Sequence, residues 1–180
     1  MNNEVVLDKL SEFLMVEQCG WQLYRVVGER ASDPELHERY EEFGRETDRH
    51  RTILTGLIRD LGGDPDYVSP TARLAQAKSE ALLASALVAG PLGEAEREAN
   101  DLENVLLAET KDHADWELLS KLVEQLPTGK TKTAIRQRSP RSNPKRTSIW
   151  SGPRPSWPPS ASRPSWARPP RRSPTASTNA

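Results

Sequence analysis

Apolar side chains recur at three- and four-residue steps through the first 126 residues of this chain, and no stretch alternates apolar with polar. Over residues 5–30, Leu10, Phe13, Leu14, Trp21 and Tyr24 form one stripe, with Glu17 inside it. That period predicts an amphipathic helix. Asp33-Pro34 reads as the next helix start, since Asp accepts from orphan N–H groups and Pro stands where no N–H is needed. The second helix is predicted to reach about Leu61 along Leu36, Tyr40, Phe43, Thr47, His50, Leu54, Leu57 and Leu61, and Gly62-Gly63 ends it. So short a linker makes the first two helices an antiparallel hairpin. Ser69-Pro70 repeats the start signal for an Ala/Leu-rich helix over about 71–89, which Gly90-Pro91 breaks. A last helix begins between Leu92 and Asp101 and runs to Gln125, with Leu102, Leu106, Glu109, His113, Trp116, Leu119 and Val123 as its predicted inner face. The expectation is an all-α fold, an up-and-down antiparallel four-helix bundle over residues 1–126.

Composition divides the chain in two. Residues 127–180 hold 12 of the 25 basic residues, 11 of the 15 prolines and no Asp or Glu. The other 13 basic and all 26 acidic residues fall in 1–126, a net of −13. An acidic body repels nucleic acid and tolerates cations. No apolar run approaches the ~20 residues of a membrane span, and the N-terminus lacks a basic start and a small-residue cleavage site. One cysteine, Cys19, builds no disulfide framework and reads as a small buried apolar side chain. These features together point to the cytoplasm.

The chemistry-bearing residues lie on the apolar stripes. Glu17 is a carboxylate in an apolar face, costly to bury unless paired, hydrogen-bonded or metal-bound. Glu46 and His50 stand one turn apart on the second helix, and Glu109 and His113 repeat the Glu-Thr-x-x-His pattern on the last. Glu17 precedes Glu46 by 29 residues, and Glu80 precedes Glu109 by the same 29. Carboxylates with imidazole suit iron or manganese, and a bridging Glu holds two ions close.

On these residues the chain resembles the ferritin-like superfamily of di-iron carboxylate proteins, to which rubrerythrins and bacterioferritins belong. Such bundles take one Glu from each of two helices and a Glu/His pair from each of the other two. The resemblance covers about residues 5–126. It implies Glu17 and Glu80 as single carboxylates, Glu46/His50 and Glu109/His113 as paired ligands, and two iron ions, or manganese, as cofactor. It further implies iron handling or redox chemistry on O₂ or peroxide, of the ferroxidase or peroxidase type. The family commonly has Glu three residues before the His; here Thr47 and Thr110 stand there, and the Glu falls four before. With the turn at Gly90-Pro91, Glu80 and Glu109 are misaligned by roughly 9 Å at ~1.5 Å per residue. Pairing them requires a turn nearer Glu96; otherwise 71–89 is a crossover helix. The competing reading is a metal-free helical bundle serving as scaffold or interaction protein. A homo-oligomer is compatible with either.

Residues 127–180 read as a disordered basic Pro/Ser/Arg-rich tail, with 138–180 its candidate out-of-frame part. Trp150, Trp157 and Trp166 are unusual in such a tail, and Arg, Ser, Pro and Trp are what a GC-rich gene yields out of frame. A one-base shift over codons 138–152 can restore an acidic helical segment with a Glu, a His four residues on and a Trp three beyond. The tail is therefore read as a frameshift product replacing a further bundle helix. Nucleic-acid binding through it is disfavoured by the acidic body.

Overall fold

The computed structural model describes residues 3–125 and, beyond them, residues 129, 132, 133, 135 and 136. The chain divides into two units, Met1–Asn143 and Pro144–Ala180, and every described residue belongs to the first. The tail over 138–180, with its disorder and frameshift readings, lies outside the described residues.

Four helices make up the bundle: α1 (Asn3–Arg30), α2 (Pro34–Asp60), α3 (Pro70–Val88) and α4 (Glu94–Gln125). Their starts follow the local chemistry. The Asp33 side chain caps α2 by accepting from the Glu35 N–H at 2.8 Å, with Pro34 at the first helical position. Ser69 caps α3 by accepting from the Ala72 N–H at 3.1 Å. α2 ends on Gly62, whose φ of +77° is favoured by glycine. There the Gly62 N–H donates to the Arg59 carbonyl and the Gly63 N–H to the Ile58 carbonyl, both at 2.9 Å, closing the helix end. A Cβ at Gly63 would stand 2.6 Å from Leu7 Cδ2, so a larger residue there would require the Leu7 side chain to move.

Long-range contacts fix the directions. His37 at the start of α2 donates through Nδ1 to the Gly28 carbonyl near the end of α1, and Asn3 reaches the Leu61 carbonyl. Hence α2 is antiparallel to α1. Ser69 Oγ donates to the Asp8 carbonyl, while Arg30 donates to the Ala86 carbonyl at 2.6 Å, so α3 runs parallel to α1. Arg30 meets Asp101 and Trp116 meets Glu17, so α4 is antiparallel. The bundle is up-and-down, and α1 packs against each of the other three helices.

Two apolar clusters fill it. One gathers Leu10, Phe13, Leu14, Leu54, Leu57 and Leu119; the other gathers Leu23, Tyr24, Val27, Tyr40, Ala86 and Val105. Ile135 is fully buried in the first cluster, so the folded unit extends past residue 126, where the composition changes. Among the described residues no helix is long and apolar enough to cross a membrane.

Candidate metal centre

Between the two apolar clusters, α1, α2 and α4 each turn a polar side chain inward. Glu17 follows Leu14 on the α1 stripe and is 3% exposed. His50 lies between Tyr40 and Leu54 on α2 and is also buried. Asp112 lies between Val105 and Trp116 on α4. The donor atoms of Glu17, His50 and Asp112 lie within 4.8 Å of one another. Two ligand atoms each ~2.1 Å from one ion are at most ~4.2 Å apart, so a shift of a few tenths of an ångström brings all three onto one cation.

The contacts are specific. Trp116 donates its indole N–H to Glu17 Oε1 at 3.0 Å. His50 Nδ1 stands 3.0 Å from the same oxygen, and its ring lies 4.9 Å from the Trp116 ring at a 55° tilt. The Asp112 carboxyl hydrogen-bonds to Glu17 as well. One turn away, the Tyr24 hydroxyl donates to Glu109 Oε1 at 2.6 Å.

Crowding acids away from water favours their neutral forms. Burial above all pushes the Glu17 carboxyl up to about 8, with Glu109 and Asp115 adding repulsion against the hydrogen bonds from Asp112 and Trp116. Burial also raises Asp112 well above the usual carboxylate range, reinforced by Glu17. Glu109 is raised to about 7 by burial; the Tyr24 hydrogen bond opposes this, Asp112 and Glu46 add to it, and His50 opposes it. Burial and Glu109 raise the Tyr24 hydroxyl too.

Of the six residues expected as ligands, the structure brings Glu17 and His50 into contact, with Glu109 close enough to feel the charges of His50 and the half-buried Glu46. It does not bring Glu80 or His113 there. Glu80 is exposed and accepts from Gln76 at 2.8 Å. The anticipated axial misalignment is not the cause: Ser85 bonds to Asn100 and Asn104, which sets Glu80 nearly level with Glu109, but the buried face of α3 runs through Ala72, Ala75 and Ala86 and turns Glu80 outward. His113 is 55% exposed, with Nε2 3.6 Å from Glu117 Oε1.

Asp112, which the apolar stripe concealed, takes the inner position on α4. The buried face runs through Asp101, Asn104, Val105, Asp115, Trp116, Leu119 and Val123, with the half-buried Asp112 in line; of the expected face Trp116, Leu119 and Val123 are buried, whereas Leu106 and His113 are turned out. Leu106 is correspondingly half-exposed. Three of those inner positions are acids, each with a local partner: Arg30 for Asp101, Lys111 for Asp115 and Glu17 for Asp112. The signal was present in the spacing, since Asp101 and Asp112 are eleven residues apart, about three helical turns.

No family model, curated protein or solved structure matches this chain.

Proposed function

We propose that this chain is a carboxylate–histidine metal protein of the ferritin-like kind, which binds iron for iron handling or for redox chemistry on O₂ or peroxide. The observation that carries the reading is the convergence of Glu17, His50 and Asp112 from three helices on one buried point. The donor set fits: two carboxylates and an imidazole suit iron or manganese. The electrostatics fit too, because a cation offsets the mutual repulsion that otherwise favours neutral Glu17, Asp112 and Glu109. Glu17, His50 and Asp112 would hold the first ion. Glu109 and Glu46 would hold the second. Bound iron would supply the electrons for reduction of O₂ or peroxide; the surrounding carboxyls would exchange protons, and the Tyr24 hydroxyl orients Glu109.

Aerobic Fe(II) loading of the full chain, followed by metal analysis, tests this. We expect at least one iron per chain. Occupancy should drop at least about ten-fold in Glu17→Ala, His50→Ala and Asp112→Asn, and stay at the parent level in Glu80→Gln and His113→Gln. Less than one iron per chain, unchanged in Glu17→Ala and His50→Ala, overturns the proposal.

A second reading, a metal-free scaffold, is favoured by one observation: the acids already have internal partners. Glu17 accepts from Trp116, and Glu109 accepts from Tyr24. A ligand that binds only the folded state raises its melting temperature. A melt that does not respond to Fe(II) or Mn(II) favours the scaffold.

A further inference from the structure

A cavity of about 290 Å³ opens directly beside the Glu17–Asp112 pair. Its walls are apolar, formed by Val16, Gly20 and Leu23 of α1, Ala75 and Leu82 of α3, and Ala108 of α4. Its polar end is made by Glu17, Tyr24, Thr47 and Asp112. O₂ or peroxide would fill a small part of this space. A cavity of ~150 Å³ already encloses benzene, and drug-sized pockets begin near ~300 Å³. The walls are helices of one chain, so the space is set by side-chain size, with small residues at Gly20, Ala75 and Ala108 among its lining.

We propose that this cavity binds an uncharged organic molecule of one or two aromatic rings bearing a hydroxyl group, as the organic co-substrate of the adjacent site. Its placement beside iron rests on the metal reading above, but its binding to the metal-free chain does not.

The lining selects this class. Apolar walls favour a ring body, at ~25 cal/mol for each Å² removed from water. The acidic end requires a hydrogen-bonding group, because a purely apolar molecule would leave buried carboxyls facing hydrocarbon. A hydroxyl can donate to Glu17 or Asp112 and accept in turn. An anion would give up its hydration there, with no free cation among the described residues of that end to receive it. Lys111 lines the cavity, but its ammonium is bound to Asp115 at 2.5 and 2.6 Å and lies 3.4 Å from Glu12, so it is not available to neutralise a carboxylate. Lys78, the other lysine of the lining, is exposed. It would hold a carboxylate only with the molecule reversed, its apolar end pressed against the acids.

The test is calorimetric titration of the metal-free full chain with 2-naphthol and, separately, with 2-naphthoate. We expect saturable one-to-one binding of 2-naphthol and at least ten-fold weaker binding of 2-naphthoate. Ala75→Leu should weaken 2-naphthol binding at least ten-fold by filling the cavity. Ser79→Phe, on the more exposed turn of α3, is the second filling variant should Ala75→Leu lose its helical circular dichroism. Both should load iron as the parent does, which separates this inference from the metal reading: iron uptake can fail while 2-naphthol binds, and the converse. Absence of saturable 2-naphthol binding overturns the proposal. So does binding undiminished in a folded filling variant. Equal or tighter binding of 2-naphthoate overturns the chemical class and favours the reversed, Lys78-held anion.

Discussion

The Glu46–His50 segment of α2 and the Glu109–His113 segment of α4 share the pattern Glu-Thr-x-x-His, and the bundle turns them through different angles. On α2, Thr47 and His50 are buried and the stripe continues to Leu54 and Leu57. On α4, Thr110 is exposed, with its hydroxyl bonded to the Leu106 carbonyl at 2.7 Å, and His113 is exposed beside Glu117. The inward residue there is Asp112, whose counterpart on α2 is Arg49. One residue of helix is about 100° of rotation, so a one-step change of register replaces an imidazole by a carboxyl. The four- or five-residue pattern does not set that rotation. Distant partners do: Arg30 holds Asp101, and Trp116 reaches Glu17.

The largest test of this comparison is therefore removal of Arg30. Its guanidinium donates twice to Asp101, which is 4% exposed, and once to the Ala86 carbonyl. Arg30→Ala leaves a buried carboxylate unpaired and should destabilise the fold by about 3–5 kcal/mol. Urea unfolding measures it. Arg30→Met with Asp101→Leu should recover most of that loss. If the single variant unfolds like the parent, Arg30 is not what holds α4 in register.

A pH effect follows next in size. Glu17 and Glu109 are raised to about 8 and 7, and Asp112 is also raised, from ordinary values near 4.5 and 3.8. These groups face His50, Asp115 and Glu46 across the site. Between the unfolded and folded values, the folded state holds protons that the unfolded state has released. Stability of the metal-free chain should therefore fall as pH rises from 5 to 8, by about 2–4 kcal/mol. Asp112→Asn should flatten that slope, whereas His113→Ala should leave it intact. A metal-free chain that grows more stable over this window would show that these carboxyls are ionised in the fold. Smaller again is Trp116→Phe, which keeps the ring and removes the N–H donated to Glu17. A loss of about 1–2 kcal/mol is expected in the metal-free chain, read by the same unfolding curves.

The bundle was legible because its signals are local. Asp33-Pro34, Ser69-Pro70 and Gly62-Gly63 place helix ends by hydrogen bonding within a turn, and the α1 and α2 stripes are apolar enough to mark their own faces. Glu17 and His50 were legible for the same reason: each interrupts a strong apolar stripe. The α4 face was harder to read. With Asp101, Asn104, Asp112 and Asp115 turned inward and Leu106, Leu107 and Leu118 outward, apolar periodicity finds Trp116, Leu119 and Val123 but misplaces Leu106 and His113. Each inward acid is tolerated only through a partner on another helix or one turn away, and such pairings are invisible until the helices are packed. Glu80 was drawn in by a 29-residue spacing, which carries no information about which face of α3 turns inward.

The smallest expected effect is also the sharpest discriminator between the two segments. His113 touches only Glu117, across 3.6 Å and at an exposed site, among the ion pairs of the described residues. An exposed pair of this kind contributes roughly 0–1 kcal/mol, and for (i, i+4) helix pairs about 0.3–0.5. Replacing His by Ala also gains a little helix propensity, since Ala is the best helix former. The two terms nearly cancel, so His113→Ala should shift stability by less than about 0.5 kcal/mol and leave iron occupancy at the parent value. His50→Ala, at the matching position of the other segment, opens a buried space against the Trp116 ring and removes a partner of Glu17. It should both destabilise the metal-free chain and empty the site. Were α4 turned one residue further, His113 would stand where Asp112 does, and the two histidine variants would behave alike. Matching losses in unfolding and in iron content would thus break the comparison, and a silent His113→Ala beside a damaged His50→Ala would place the α4 ligand at Asp112.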